Sequence, residues 1–233
     1  MLLFDVTKAA TQGHQSGLMR TSRCLQNQLA ASSGGGIQPV VWHARRESFA
    51  DALTRRNVSA GAGDWLLTPE LFSEEERPGF TRWLEDAKCG TAAVYHDAIP
   101  LRFPEFTWPK SVYRHPHYMK LLARFDLVFA NSAASAAELG DYWHWIGCER
   151  LDAVAIPFGA DGQGVPRITN DLGRAGDRMV AMLGILEPRK NQRAVLDAAE
   201  ELWAEGVEFS LTLAGRVNPH FGRPVARRVR ELR

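Results

Sequence analysis

The run RMVAMLGILEPRKN at positions 178–191 places the tightest limit on what this chain can fold into. From Val180 to Leu186 it is almost continuously apolar and of strand length, the pattern of a strand buried on both faces of a parallel sheet. Gly184 inside the run points to a close backbone approach. Polarity then switches to Glu187-Pro188-Arg189-Lys190-Asn191. Beyond that, Ala194, Val195, Ala198, Ala199, Leu202 and Trp203 recur at helical spacing, with Asn191 as the expected N-cap and Gly206 as the stop. Strand, short loop and helix therefore follow in order, with two cations at the helix's positive end. That end attracts anions, and an adjacent Arg and Lys add hydrogen-bond donors suited to a diphosphate. The competing reading is a solvated basic loop ahead of a surface helix.

The same alternation runs through the rest of the chain. Strands are predicted at Leu2–Val6, Val40–Trp42, Asp64–Thr68, Thr91–Tyr95, Leu127–Ala130, Ala153–Pro157 and Glu208–Ala214, with a polar loop from Thr7 to Ser16. Helices are predicted from about Gly17 to Ala31, from Ser73 to Lys88 with a break at Pro78-Gly79, and after Asn131-Ser132, where Ser135 and Glu138 have capping-box spacing. The four prolines between Pro100 and Pro116 predict an ordered loop rather than a helix, and helical character resumes from Tyr118 to Arg124. Ser32-Ser33-Gly34-Gly35-Gly36 leads into a strand rather than a helix, so it reads as a connector and not a phosphate loop. Gly159 to Gly176 is rich in glycine, has no periodicity, and is the best linker candidate.

Alternating strands and helices on both sides of a linker predict an α/β protein with two Rossmann-like halves, residues 1–165 and 176–233. The second half supplies two strands and one or two helices, too few to cover their own apolar faces. It is expected to be the first part of a larger domain, or else to complete the first sheet.

A net charge of +1 gives no nucleic-acid tail, and no apolar run approaches the ~20 residues of a membrane span. Cys24, Cys89 and Cys148 are scattered and odd in number, as expected for reduced thiols in a cytoplasmic protein. GxSxG, GxGxxG and Walker motifs are lacking, which argues against such hydrolases, dehydrogenases and P-loop enzymes. His96-Asp97 falls at the carboxyl end of a predicted strand, where ligands bind in open α/β sheets. The imidazole there either donates to a substrate hydroxyl or phosphate, or moves a proton, or is simply satisfied by a neighbouring carbonyl. His115-Pro116-His117 has no acidic or thiol partner at zinc-ligand spacing. Trp108, in the proline-rich stretch, is core material or the wall of a sugar site.

With these segments in place, the chain resembles glycosyltransferase family 4, the retaining GT-B enzymes. The resemblance rests on Gly13–Thr21, VYHDAIPLRFPE (Val94–Glu105), FANSAASAAEL (Phe129–Leu139), IPFGAD (Ile156–Asp161) and LGILEPRKNQRAVLDAAEELWAEG followed by LTLAGR, all in the family's order. It implies a GT-B architecture and transfer of a hexose, with retention, from a nucleotide-diphosphate sugar of the GDP-mannose kind to a saccharide or lipid-linked glycan. Arg189 and Lys190 match the pair that grips the donor diphosphate, while Gly13 and Gly17 match a loop approaching the donor phosphates. His96, with Asp97, matches the histidine near the transferred sugar. The resemblance further implies no metal or other cofactor: Arg, Lys and helix dipoles stabilise the departing nucleoside diphosphate, which helps deprotonate the acceptor. The chain departs from the pattern in two places. The family's E-x7-E pair has no counterpart, because Glu200 and Glu208 straddle Gly206, and the first loop lacks paired glycines. A cytoplasmic enzyme for polysaccharide biosynthesis follows, with room for peripheral association at the inner membrane face and for a homo-oligomer or partner chain over the second half. The rival is a non-catalytic saccharide-binding or assembly subunit.

Overall fold

The computed structural model describes residues 1–11, 16–34, 36–149, 152–159 and 178–232. It divides into two compact units, Met1–Arg102 with Pro109–Gln163, and Phe103–Trp108 with Gly164–Arg233. The expected boundary between residues 165 and 176 lies outside the described residues.

The first unit is a Rossmann-like α/β layer structure. Seven strands, β1 (Leu2–Asp5), β2 (Ile37–His43), β3 (Ser48–Asp51), β4 (Trp65–Thr68), β5 (Gly90–Tyr95), β6 (Leu127–Ala130) and β7 (Val154–Ala155), pair in the order β3-β2-β1-β4-β5-β6-β7. Every pairing is parallel except β2 with β3. The chain moves outward from β1 through β2 to β3, then crosses back to place β4 on the other side of β1. The strand order therefore reverses between β1 and β4, and in open sheets the crevice beyond the carboxyl ends at such a switch point is where ligands bind.

Alternate strand residues face opposite layers, as the two-residue strand period requires. Leu3, Leu66, Ala93 and Tyr95 join one core with residues of α3 (Phe80–Asp86), α5 (Pro109–Leu122) and α6 (Ala133–Trp145). Phe4, Leu67, Ala92 and Val94 form the opposite layer, covered by Leu25 and Leu29 of α2 (Gly17–Ser32). Ser16 Oγ accepts from Met19 N and caps α2.

Four segments differ from expectation. The helix predicted from Ser73 to Lys88 is confined to α3, Phe80–Asp86, and residues 73–79 before it form turns. Thr7–Thr11 is a short helix, α1, rather than loop, because the adjacent Asp5 and the distant Glu70 satisfy its first N–H groups. The antiparallel edge strand β3 was not anticipated; its four residues are too few to show a period. The proline-rich stretch is mostly helical: α4 spans Ile99–Arg102, a 3-10 turn spans Pro104–Phe106, and α5 begins at Pro109. Pro100, Pro104 and Pro109 all sit in first turns, where an N–H is not needed. Pro116 alone lies inside a helix, and its carbonyl accepts Tyr142 Oη at 2.9 Å.

In the second unit, β8 (Met179–Leu183) and β9 (Ser210–Ala214) pair in parallel as a separate sheet, so the second half does not extend the first. Helices α7 (Gln192–Ala204) and α8 (Arg223–Glu231) close a small core around Leu186, Leu196 and Val225. The expectation of a strand buried on both faces is corrected: Met179, Val180 and Leu183 are exposed. Asn191 does not cap α7 with its side chain; it takes the left-handed conformation at φ 54°. The close approach anticipated at Gly184 is against Gly215, where an added Cβ would stand 1.8 Å from the Gly184 carbonyl oxygen. Since backbone cannot swing aside as a side chain does, Gly215→Ala should destabilise this unit by about 1–3 kcal/mol, read as faster hydrogen exchange across β8 and β9.

Candidate active site at the carboxyl edge of the sheet

The switch point carries a buried ionic cluster. Asp5 ends β1, Glu70 lies two residues beyond β4, and Arg77 leads into α3; all three are at most 1% exposed. Arg77 Nη1 donates to Asp5 Oδ2 at 2.5 Å, and Nη2 lies 3.9 Å from Glu70 Oε2. The guanidinium is flanked by the rings of Phe72 and Phe80, each 5.3 Å away. The two carboxylates also organise α1. Asp5 Oδ1 accepts Thr7 N at 3.0 Å, and Glu70 accepts Lys8 N at 2.6 Å and Ala9 N at 2.9 Å. Those are first-turn N–H groups that a helix cannot satisfy internally. With two carboxylates to one guanidinium, burial and the Asp5 charge push Glu70 up to about 7, against the pull of Lys8 N–H, Ala9 N–H and Arg77. Arg77 Nη2 and Thr68 Oγ1 are buried with no hydrogen-bond partner among the described residues. Sequence reasoning did not find this cluster. Its signal was faint: one arginine closing the acidic run SEEER, and acids just past two apolar strands.

His96 follows β5 on the same edge, as expected, and is 6% exposed. Its Nε2 sits 2.8 Å from the Pro69 carbonyl oxygen, so Nε2 carries the proton and Nδ1 the lone pair. Burial lowers its pKa, so the ring is neutral near pH 7, although the Pro69 carbonyl and Asp97 pull the other way. Ser135 Oγ donates to the His96 carbonyl at 2.8 Å, and Ser132 caps α6 by accepting Ser135 N at 3.1 Å. This corrects the capping-box reading: Ser132 is the cap, and Glu138 pairs with Arg102 at 2.5 Å. One imidazole nitrogen is thus satisfied by a carbonyl, while the other remains an acceptor. Phe158 stands 6.0 Å from the ring, centroid to centroid.

Asp97 works locally. Its Oδ1 accepts Ile99 N at 3.0 Å, opening α4, and its carbonyl accepts His115 Nε2 at 3.0 Å. His115 is buried whereas His117 is exposed, as expected two residues apart on one helix. Gly17 begins α2, and no hydrogen bond among the described residues links it to His96 or Asp97. Gly13 and Asp161 lie outside the described residues.

In the second unit, Arg189 and Lys190 belong to a 3-10 turn, Pro188–Lys190, directly before α7, which has no side-chain cap. Arg189 Nη2 contacts Glu187 Oε1, and the buried Glu187 also accepts Asn218 Nδ2 at 3.0 Å. Gln192 bridges the turn, donating Nε2 to the Ile185 carbonyl at 2.8 Å and accepting Glu187 N at 3.3 Å. The guanidinium is therefore held on one side and keeps further N–H donors. Lys190 is exposed and makes no ion pair among the described residues. Trp108 packs edge-on against His220 in this unit.

No family model matches the chain. Among curated proteins it is similar to serotype-specific mannosyltransferases WbdA of Escherichia coli, 26% and 27% identical over 244 residues, or 92% of this chain. The chain spans 29–30% of the length of these relatives. No helix among the described residues is long and apolar enough to cross a membrane.

Proposed function

We propose that the chain is part of a retaining glycosyltransferase of family 4 and GT-B architecture. Residues 1–165 face the acceptor, and 176–233 form part of the nucleotide-sugar domain. A hexose, mannose by analogy with the relatives' activity, passes from a nucleotide-diphosphate donor to a saccharide or lipid-linked glycan in polysaccharide biosynthesis at the cytoplasmic side. The observation that carries this reading is His96: a neutral imidazole held at Nε2 by the Pro69 carbonyl, on backbone held by Ser135, beside the switch point and with Nδ1 left to accept a sugar hydroxyl. Its support in sequence is the ordered set of motifs and the likeness to mannosyltransferases, which disfavours a non-catalytic subunit.

On this reading Arg189, oriented by Glu187, and Lys190 bind the donor diphosphate at the uncapped start of α7. Gly13 and Gly17 approach its phosphates through their backbone. Positive charge and helix N–H groups stabilise the departing diphosphate, so the reading requires no metal from the protein. The test is calorimetric titration with GDP, UDP and ADP. Replacing Arg189 and Lys190 together by Ala should weaken binding of the preferred nucleotide at least about tenfold, ~1.4 kcal/mol. Unchanged affinity would remove the pair from the donor site.

A further inference from the structure

A second site lies on the outer side of the first unit, in a cavity of about 300 Å³ between α5 and the turn that leads into α3. None of the carboxyl-edge residues His96, Asp97 or Glu70 lines it. One wall is a stripe of α5, Tyr113, His117 and Lys120, recurring at helical spacing, with Arg124 in the turn that follows the helix. At 1.5 Å per residue Tyr113 to Lys120 spans roughly 10 Å, the reach of about two sugar residues. Buried Tyr118 and Leu121 form the floor.

Three properties define the ligand. First, Tyr113 is 73% exposed, yet its ring is steadied edge-on by His117 at 5.8 Å, giving a fixed aromatic shelf. Second, the polar lining is already oriented. Arg114 Nε and Lys110 Nζ each donate to Glu75 at 2.7 Å, and this holds the Glu75 carboxyl well below the usual range, so it stays an ionised acceptor. Glu74 accepts Gly79 N at 2.8 Å and Thr81 Oγ1 at 2.6 Å. Third, the charges largely cancel: Arg114 pairs with Glu75 and Arg124 with Glu85, and the lining holds Glu74 as well as Lys120. An anionic ligand would meet two carboxylates, and a purely apolar one would strand the paired charges. A neutral polyol with one C–H face fits: its ring lies on Tyr113, and its vicinal hydroxyls bridge Glu75 and Arg114.

We propose that this groove is a second saccharide-binding subsite, which holds sugar residues of the acceptor chain away from the place of transfer. That role rests on the glycosyltransferase reading, whereas occupancy of the groove does not. The two can fail separately, because binding is read without any donor. The experiment is titration of the ¹⁵N-labelled protein with α-linked mannotriose, following backbone amides by NMR. Saturable shifts are expected at 73–81 and 113–124, with millimolar affinity. Tyr113→Ala should weaken binding by about tenfold, and Glu75→Gln should weaken it as well. Tyr113 is exposed, so its variant should keep the wild-type melting temperature and spectrum elsewhere. Absence of saturable shifts up to ~50 mM, affinity unchanged in Tyr113→Ala, or shifts with inorganic phosphate but not with mannotriose would each overturn the proposal.

Discussion

Arg77→Met is expected to lower the unfolding free energy by about 3–5 kcal/mol, the largest single effect on stability the structure implies. Arg77 is the only cation contacting two carboxylates buried at 0% and 1% exposure among the described residues. Methionine fills most of the volume and keeps contact with Phe72 and Phe80, so the loss is chiefly electrostatic. Asp5 and Glu70 would then face each other unneutralised, which makes the loss greater at pH 8 than at pH 5.5. Urea unfolding at the two pH values checks both magnitude and trend. Glu70→Gln isolates the carboxyl. Glu70 titrates at about 7 in the fold against an ordinary 4.5. The native state thus keeps a proton that the unfolded chain has already lost between those values, and Glu70's contribution falls as pH rises through that window. His96 and His115 act oppositely, because burial lowers their pKa and their contribution is lost as pH drops below 6.5. The difference between wild type and Glu70→Gln cancels the histidines. It should shift in the variant's favour by on the order of 2 kcal/mol from pH 5 to pH 8.

His96→Ala should reduce turnover of the proposed transfer by roughly 10²–10³-fold, with nucleotide affinity little changed because the diphosphate grip lies elsewhere. The ring is anchored at Nε2 by Pro69 and its backbone by Ser135, so on the proposed reading Nδ1 would meet substrate without a reorganisation cost. On that reading turnover needs the neutral ring. The wild-type rate should therefore hold as pH falls from 8 to 6.5 and decline only through a pKa below the ordinary histidine value. The limb should be absent from the residual activity of His96→Ala.

The features legible in the sequence were those written in local pattern. Val94-Tyr95-His96-Asp97 reads as an apolar strand ending in chemistry, and LGILEPRKN as strand, basic turn and helix; both elements form where expected. What escaped depended on partners far along the chain. TKAAT is too short to show a helical period, and α1 forms because Glu70, beyond β4, meets two of its N–H groups alongside the neighbouring Asp5. Arg77 reads as the end of a solvated charge run until the turn before α3 buries it over β1. Pro100, Pro104 and Pro109 looked like helix breakers but occupy first turns, a distinction that depends on where each helix starts. Arg189 was legible as a cation at a helix start, whereas its tether to Glu187 and Asn218 required the loop after β9 to fold back.

The central claim is that this fold transfers a hexose from a nucleotide-diphosphate sugar, with His96 at the place of transfer. Its most direct test is NMR observation of donor and product when the protein is incubated with GDP-mannose, other nucleotide hexoses and a mannose-terminated oligosaccharide. The account predicts nucleoside diphosphate release that depends on acceptor, a product with the donor's anomeric configuration, and loss of both in His96→Ala. Equal turnover by wild type and His96→Ala, or an inverted product, would contradict it.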